Sequence, residues 1–133
     1  MKLTRASSYA LHAVAYMAAQ KHHEPVASHH IARARGIPER FLLKVLKPLV
    51  SARVLLSIKG PNGGYRLARP ASAITMLDIL EAVDGPIRGQ APLLEENNGP
   101  LNYKLEAICK QSADQIRKQL EKVRLTDLLP RRK

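Results

Sequence analysis

The pentapeptide Gly60-Pro61-Asn62-Gly63-Gly64 constrains this chain more than any other stretch. Proline fixes its own φ and lacks an N–H, and glycine favours backbone conformations closed to other residues. Neither a helix nor a continuous strand runs through five such residues. Asn-Gly is also a strong signal for a tight hairpin turn. The flanks agree, since Leu55 to Lys59 reads as a strand and Tyr65 to Ala68 as its return.

The chain before this hairpin carries helical patterns. Residues 7 to 20 place Ala10, Val14, Met17 and Ala18 at helical spacing, with Ser7 or Ser8 as the cap and Glu24-Pro25 as the stop. Ser28 is expected to cap a second, short helix through Arg35, with Ile31 and Ala32 inward and Gly36 as its left-handed stop. Pro38 suits the first turn of a third helix that reaches Ala52. In that helix Phe41, Leu42, Val45, Leu46, Leu49 and Val50 form an apolar stripe. Arg40, Lys44, Lys47 and Ser51 recur at i, i+4, i+7 and i+11 on another face. Pro48 removes the hydrogen bond to the Lys44 carbonyl, so a bend or a tightened end is expected.

After the hairpin, Thr75 and Asp78 have the spacing of a capping box. They precede a helix bearing Met76, Leu77, Ile79, Leu80 and Val83, which Gly85-Pro86 stops. Residues 86–100 read as a loop. A long helix is expected from Leu101 to Arg124, then a short turn capped by Thr126, then Pro130 and a basic tail. Aromatic residues make up only 4% of the chain and Trp is absent, so the core must be aliphatic, which favours helix over sheet. The expected fold is mainly α: a winged helix-turn-helix with a two-stranded β wing and a long C-terminal helix. The expected division is 1–85 for the winged unit, 86–100 for the loop, and 101–133 for the long helix and tail.

Charge supplies the functional direction. Met1 to Pro70 holds 12 Lys and Arg against 2 acids, while Ala71 to Lys133 holds 10 against 9. Nearly all of the net charge of +11 therefore lies in the half that carries the helices and hairpin. A block of positive charge confined to one half points to a polyanion. An α-helix fits the DNA major groove, and a glycine-rich hairpin tip can approach the backbone or the minor groove closely. Arg40, Leu43, Lys44 and Lys47 are the candidates on the third helix. Lys59, Asn62 and Arg66 are the candidates on the wing, and Lys2, Arg5 and Ser28 are phosphate candidates. Leu43 lies between Arg40 and Lys47 on the outward face, where it is either a single surface leucine or a side chain that meets a thymine methyl.

Motif and order together resemble the Rrf-two family of winged helix-turn-helix transcriptional regulators. The resemblance rests on Met1-Lys2-Leu3-Thr4, Tyr9-Ala10-Leu11, Ile31-Ala32, Gly36-Ile37, Ile74-Thr75, Asp78-Ile79 and Thr126-Asp127-Leu128-Leu129. Its most specific part is the wing, Gly60-Pro61-Asn62-Gly63-Gly64-Tyr65-Arg66-Leu67-Ala68-Arg69-Pro70. It implies a homodimer joined through the long helix. That agrees with the apolar stripe of Leu105, Ile108, Cys109, Ile116, Leu120 and Val123, which needs a partner to be buried. Three positions depart from the family pattern. Cluster-binding members carry three cysteines where Pro86 to Pro100 has none, and Cys109 is the single Cys of the chain. Leu43 stands where iron–sulfur members often have Glu, and Arg53 stands where Gly is usual.

The expected function is therefore a sequence-specific regulator, a repressor, that binds a pseudo-palindromic operator in double-stranded DNA as a homodimer. No cofactor is expected, and an iron–sulfur cluster least of all. The alternative is a winged-helix protein-interaction module that has lost DNA binding. The sequence offers no nucleophile constellation or acid/base pair for an enzyme. His22-His23 and His29-His30 lack the partners of a metal site. Glu95-Glu96 read as solvated loop residues, and the glycine-rich tip lacks the Lys-Ser/Thr of a nucleotide loop. The apolar stretch from Tyr9 to Ala19 is broken by His12 and Tyr16, and no run approaches a membrane span. The expected location is the cytoplasm.

Overall fold

A computed structural model describes residues 1–20, 23–90 and 99–130. His22, Glu95-Glu96, the centre of the expected loop and the basic tail Arg131-Arg132-Lys133 lie outside the described residues. The described chain runs α1 (Arg5–Ala18), α2 (Ser28–Arg35), α3 (Glu39–Ser51), β1 (Leu55–Ile58), β2 (Gly64–Leu67), a 3-10 turn (Ala71–Ala73), α4 (Met76–Asp84), α5 (Pro100–Lys122) and α6 (Leu125–Leu128). No helix among the described residues is long and apolar enough to cross a membrane.

The helix starts differ from the sequence reading in an instructive way. Thr4, not Ser7 or Ser8, caps α1: its Oγ1 accepts from the Ser7 N–H at 3.0 Å. Ser7 is fully buried, and its hydroxyl donates to the carboxylate of Asp84 at the end of α4. Thr4 donates to the same carboxylate at 2.9 Å. Asp84 thus ties the start of α1 to the end of α4. Ser28 is the first residue of α2 rather than its cap, because its hydroxyl turns to Glu39 Oε1 at 3.2 Å and leaves Ala27 at the cap. Gly36 ends α2 in the left-handed conformation (φ 65°, ψ 33°), as expected. Pro38 stands just before α3 rather than in its first turn, and Pro48 is carried inside the helix.

The end of α3 is a complete Schellman closure. Val54 N–H donates to the Leu49 carbonyl and Arg53 N–H to the Val50 carbonyl, each at 3.0 Å. Leu49 and Val54, the apolar pair that accompanies such a closure, are both buried. The left-handed residue is Arg53, at φ 61°.

The hairpin pairs Leu55 with Leu67, Leu56 with Arg66, Ser57 with Tyr65 and Ile58 with Gly64. Lys59, expected at the end of the first strand, lies in the turn. The sequence reading missed a third pairing: Val26 exchanges both backbone hydrogen bonds with Tyr65 at 2.8 Å. Gly64 makes this possible. It holds φ 150°, and a Cβ there would lie 2.4 Å from the Val26 carbonyl.

One core unites Ala10, Ala13, Val14 and Met17 of α1 with Ile31 of α2, Leu42, Leu46 and Leu49 of α3, Leu55 of β1 and Ile79 of α4. Thr75 and Asp78 form the expected capping box at α4, with both hydrogen bonds at 3.0 Å. A smaller cluster joins Leu77 and Leu80 of α4 to Leu120 of α5. The Arg117–Glu81 ion pair lies beside it, and Glu81 also accepts from the Ile87 N–H at 2.8 Å. Beyond α5 the chain turns back: Met76 N–H donates to the Val123 carbonyl at 2.7 Å, and Leu125 N–H donates to the Ile74 carbonyl at 2.8 Å. Leu125 is then fully buried in the main core. Thr126, expected to cap the last helix, lies inside it. Arg124 occupies the cap position, and its N–H donates to Asp127 Oδ2 at 2.9 Å.

Candidate nucleic-acid interface

The faces of α3 separate as the spacing requires. Leu42, Val45, Leu46 and Leu49 are buried, while Arg40, Leu43, Lys44, Lys47 and Ser51 are exposed. Leu43 keeps 43% of its surface, so an apolar side chain stands in a basic outer face. Phe41, read from the sequence as part of the inner stripe, is only half-buried. The Arg40 guanidinium lies 4.7 Å from its ring centre and the Lys44 ammonium 5.8 Å, on the same ring. Such contacts hold two flexible cations near one face. Their signal in the sequence was the Arg40-Phe41 and Phe41–Lys44 spacing, which places cation and ring within one helical turn.

Arg5 and Lys44 line a shared hollow of about 210 Å³ with Tyr9 and Phe41, so the N-terminal residues approach the outer face of α3. Lys2 and Arg5 are exposed at the start of α1, and Lys59, Asn62 and Arg66 are exposed on the wing. Leu56, the cross-strand neighbour of Arg66, is also exposed, at 39%. Ser28 is half-buried and its hydroxyl is engaged with Glu39. The two ion pairs among the described residues are Arg69–Asp78 and Arg117–Glu81. The basic candidates of α3 and the wing therefore have no carboxylate partner among those residues.

The long-helix candidates divide. Leu120 is buried against Leu77 and Leu80 of its own chain, and Cys109, Ile116 and Val123 are half-buried. Leu105 and Ile108 are exposed, and Leu101 extends the same row at i, i+4 and i+7. The stripe is thus one row in the sequence but has two halves in the structure.

His29 and His30 are exposed, with ring centres 4.3 Å apart. No group of three or more His, Cys, Asp or Glu among the described residues is arranged to hold a metal ion.

The three-helix core, the basic outer face of the third helix and the adjoining hairpin are the parts of a winged helix-turn-helix. The family model Rrf2, described as iron-dependent transcriptional regulator, matches residues 3–131. The chain belongs to the Rrf2 family. It is similar to the protein aau3 of Rhizobium meliloti, 41% identical over 85 residues, which cover 63% of this chain and 54% of aau3. The chain thus spans about half the length of that relative. A Mycobacterium tuberculosis protein named as an HTH-type transcriptional regulator is 31% identical over 133 residues, covering 96% of this chain and 81% of that protein. The structure of CymR, the global cysteine regulator of B. subtilis, superposes with a TM-score of 0.76 at 27% identity, covering 96% of this chain and 95% of CymR. This Rrf2 protein is therefore a transcriptional regulator with a DNA-binding fold, not an enzyme.

An iron–sulfur cluster held by cysteines, one reading of the iron in the family's description, does not fit the donors of this chain. A cysteine-held cluster takes several thiolates, usually four ligands. The chain has one Cys, and the stretch 86–100 contains neither Cys nor His. The backbone of Gly89 also packs against the helix at Cys109, where a Cβ would lie 2.1 Å from the Cys109 carbonyl oxygen.

Proposed function

We propose that this protein is a cytoplasmic, sequence-specific repressor that binds a pseudo-palindromic operator as a homodimer. One observation carries the reading: α3 and the wing present exposed cations without carboxylate partners among the described residues. Arg40 is assigned a guanine contact and Leu43 a thymine methyl, with Lys44 and Lys47 mainly on phosphates. Lys59, Asn62 and Arg66 serve the backbone or minor groove from the wing, and Lys2 and Arg5 the flanking phosphates. Ser28 contributes only by releasing Glu39. Repression follows from occupying a site that the transcription machinery needs.

The dimer forms through the N-terminal half of α5, where Leu101, Leu105 and Ile108 are exposed. Cys109, Ile116, Leu120 and Val123 support that helix from within its own chain or at the edge of the contact. The division into 1–85, 86–100 and 101–133 is functional: DNA reading, connection and pairing. The protein acts without an iron–sulfur cluster. Stoichiometric iron and sulfide after anaerobic purification, lost in Cys109→Ala, would contradict that.

Selection of bound sites from random duplex DNA with purified protein tests the reading. It predicts enrichment of one inverted repeat. Enrichment of nothing, with specific capture of an acidic protein instead, would favour an interaction module that has lost DNA binding.

A further inference from the structure

Two arginines far apart in the chain hold one turn. The 3-10 turn Ala71–Ala73 lies between the wing and α4. Arg69, two residues past β2, donates from Nη1 to the Ala73 carbonyl at 3.0 Å and from Nε to the Arg53 carbonyl at 3.3 Å. The same Nη1 lies 3.5 Å from the Asp78 carboxylate, which belongs to the capping box of α4. Arg124, just past α5, donates from Nη1 to the next carbonyl of the turn, Ser72, at 2.6 Å. Arg53 is the left-handed residue that closes α3. One guanidinium therefore touches the end of α3, the turn and the cap of α4, and the other joins that turn to the end of α5.

We infer that Arg69 and Arg124 are positioning residues, a clasp that fixes the wing and α3 at one angle to the long helix and so sets the half-site spacing the dimer accepts. The inference rests on the operator-binding dimer proposed above. A guanidinium suits the task because its planar fork of donors satisfies several acceptors at once, which a lysine ammonium does with less geometric control. Three of the acceptors are backbone carbonyls, so the clasp fixes the chain path and not only a side chain. Spacing is where such a constraint is read. With 10–10.5 base pairs per turn, one added base pair rotates one half-site against the other by roughly 35°. A rigid dimer cannot follow that rotation, whereas a dimer with loosened reading heads can.

The test measures affinity for the selected operator with its spacer at the selected length and one base pair shorter or longer. The proteins are the wild type, Arg69→Gln, Arg124→Gln, the double variant and Arg69→Lys, with melting curves and dimer mass recorded for each. The wild type is expected to prefer its own spacing by roughly a hundredfold. The double variant is expected to lose roughly tenfold of that ratio, each single variant less, and Arg69→Lys least. Base preference within each half-site and dimer mass stay unchanged. A role confined to stability would weaken binding to all three duplexes alike. An unchanged spacing ratio therefore overturns the clasp, and if the double variant fails to fold the single variants decide by the same ratio. A wild type that binds no duplex removes the proposed function and the clasp together. A wild type with a spacing preference that all variants keep removes the clasp alone.

Discussion

Arg53 shows how one residue can oppose its own backbone. Its φ of 61° belongs to a Schellman closure, whose left-handed residue is usually Gly because a Cβ is disfavoured there. Arg53→Gly is therefore expected to raise stability by about 1 kcal/mol in denaturant melts, the left-handed penalty less the added chain entropy of glycine. The Val54 and Leu49 bonds should persist. Leu43 poses the opposite case, an exposed apolar side chain among cations. Leu43→Ala is expected to weaken preference at one base pair by about 1 kcal/mol, measured on single-base operator variants. Lys47→Ala should instead weaken binding to every sequence and lower the salt slope by about one phosphate contact. If Lys47→Ala alters one base preference and leaves the slope alone, the two roles are interchanged.

Among the elements, the wing is the one whose geometry depends on adjacent glycines with no room for a Cβ, Gly63 against the Ile58 carbonyl and Gly64 against Val26. Gly64→Ala must either leave φ 150° or push Val26 from Tyr65. It is expected to destabilise the protein by ~2 kcal/mol or more, with loss of exchange protection at the Val26 and Tyr65 amides. A neutral effect would mean that the Val26 pairing does not hold the wing. Some elements were legible in the sequence because their signals are local. Gly36 and the Thr75–Asp78 box each act within four residues and lie where the spacing placed them. The hairpin also lies where residues 60–64 placed it, but its turn centres on Pro61-Asn62, with the Gly63 N–H donating to the Gly60 carbonyl, and not on Asn62-Gly63. The caps assigned to Ser7 and Ser28 failed because a hydroxyl takes the partner that tertiary structure offers. Asp84 is 77 residues from Ser7, and Glu39 is 11 from Ser28. The Val26 pairing was invisible because a single bridged residue has no alternation to read. The outer face of α3 was legible from period alone, but the half-burial of Phe41 beneath two cations was not, since the sequence does not say which apolar residues the core has room for.

At the scale of the whole molecule, the proposed homodimer has the long helix serve two surfaces. Its C-terminal half belongs to its own chain, through Leu120 on Leu77 and Leu80, the Arg117–Glu81 pair and the return of Leu125 into the core. The unburied row is Leu101, Leu105 and Ile108, so disruption of the dimer should be sought there and not at Ile116. Ile108→Glu is expected to yield folded monomers in sedimentation, with operator affinity reduced at least tenfold, since an apolar row of this kind is costly to leave in water. A dimer of unchanged strength would place the interface elsewhere. The central claim, that a dimer of this chain reads duplex DNA through α3 and the wing, is tested most directly by titrating the selected operator and a scrambled duplex of equal length over a range of salt. A preference for the operator of about a thousandfold or more is expected, with affinity falling steeply as salt rises. Equal affinity for the two duplexes, or binding indifferent to salt, would contradict it.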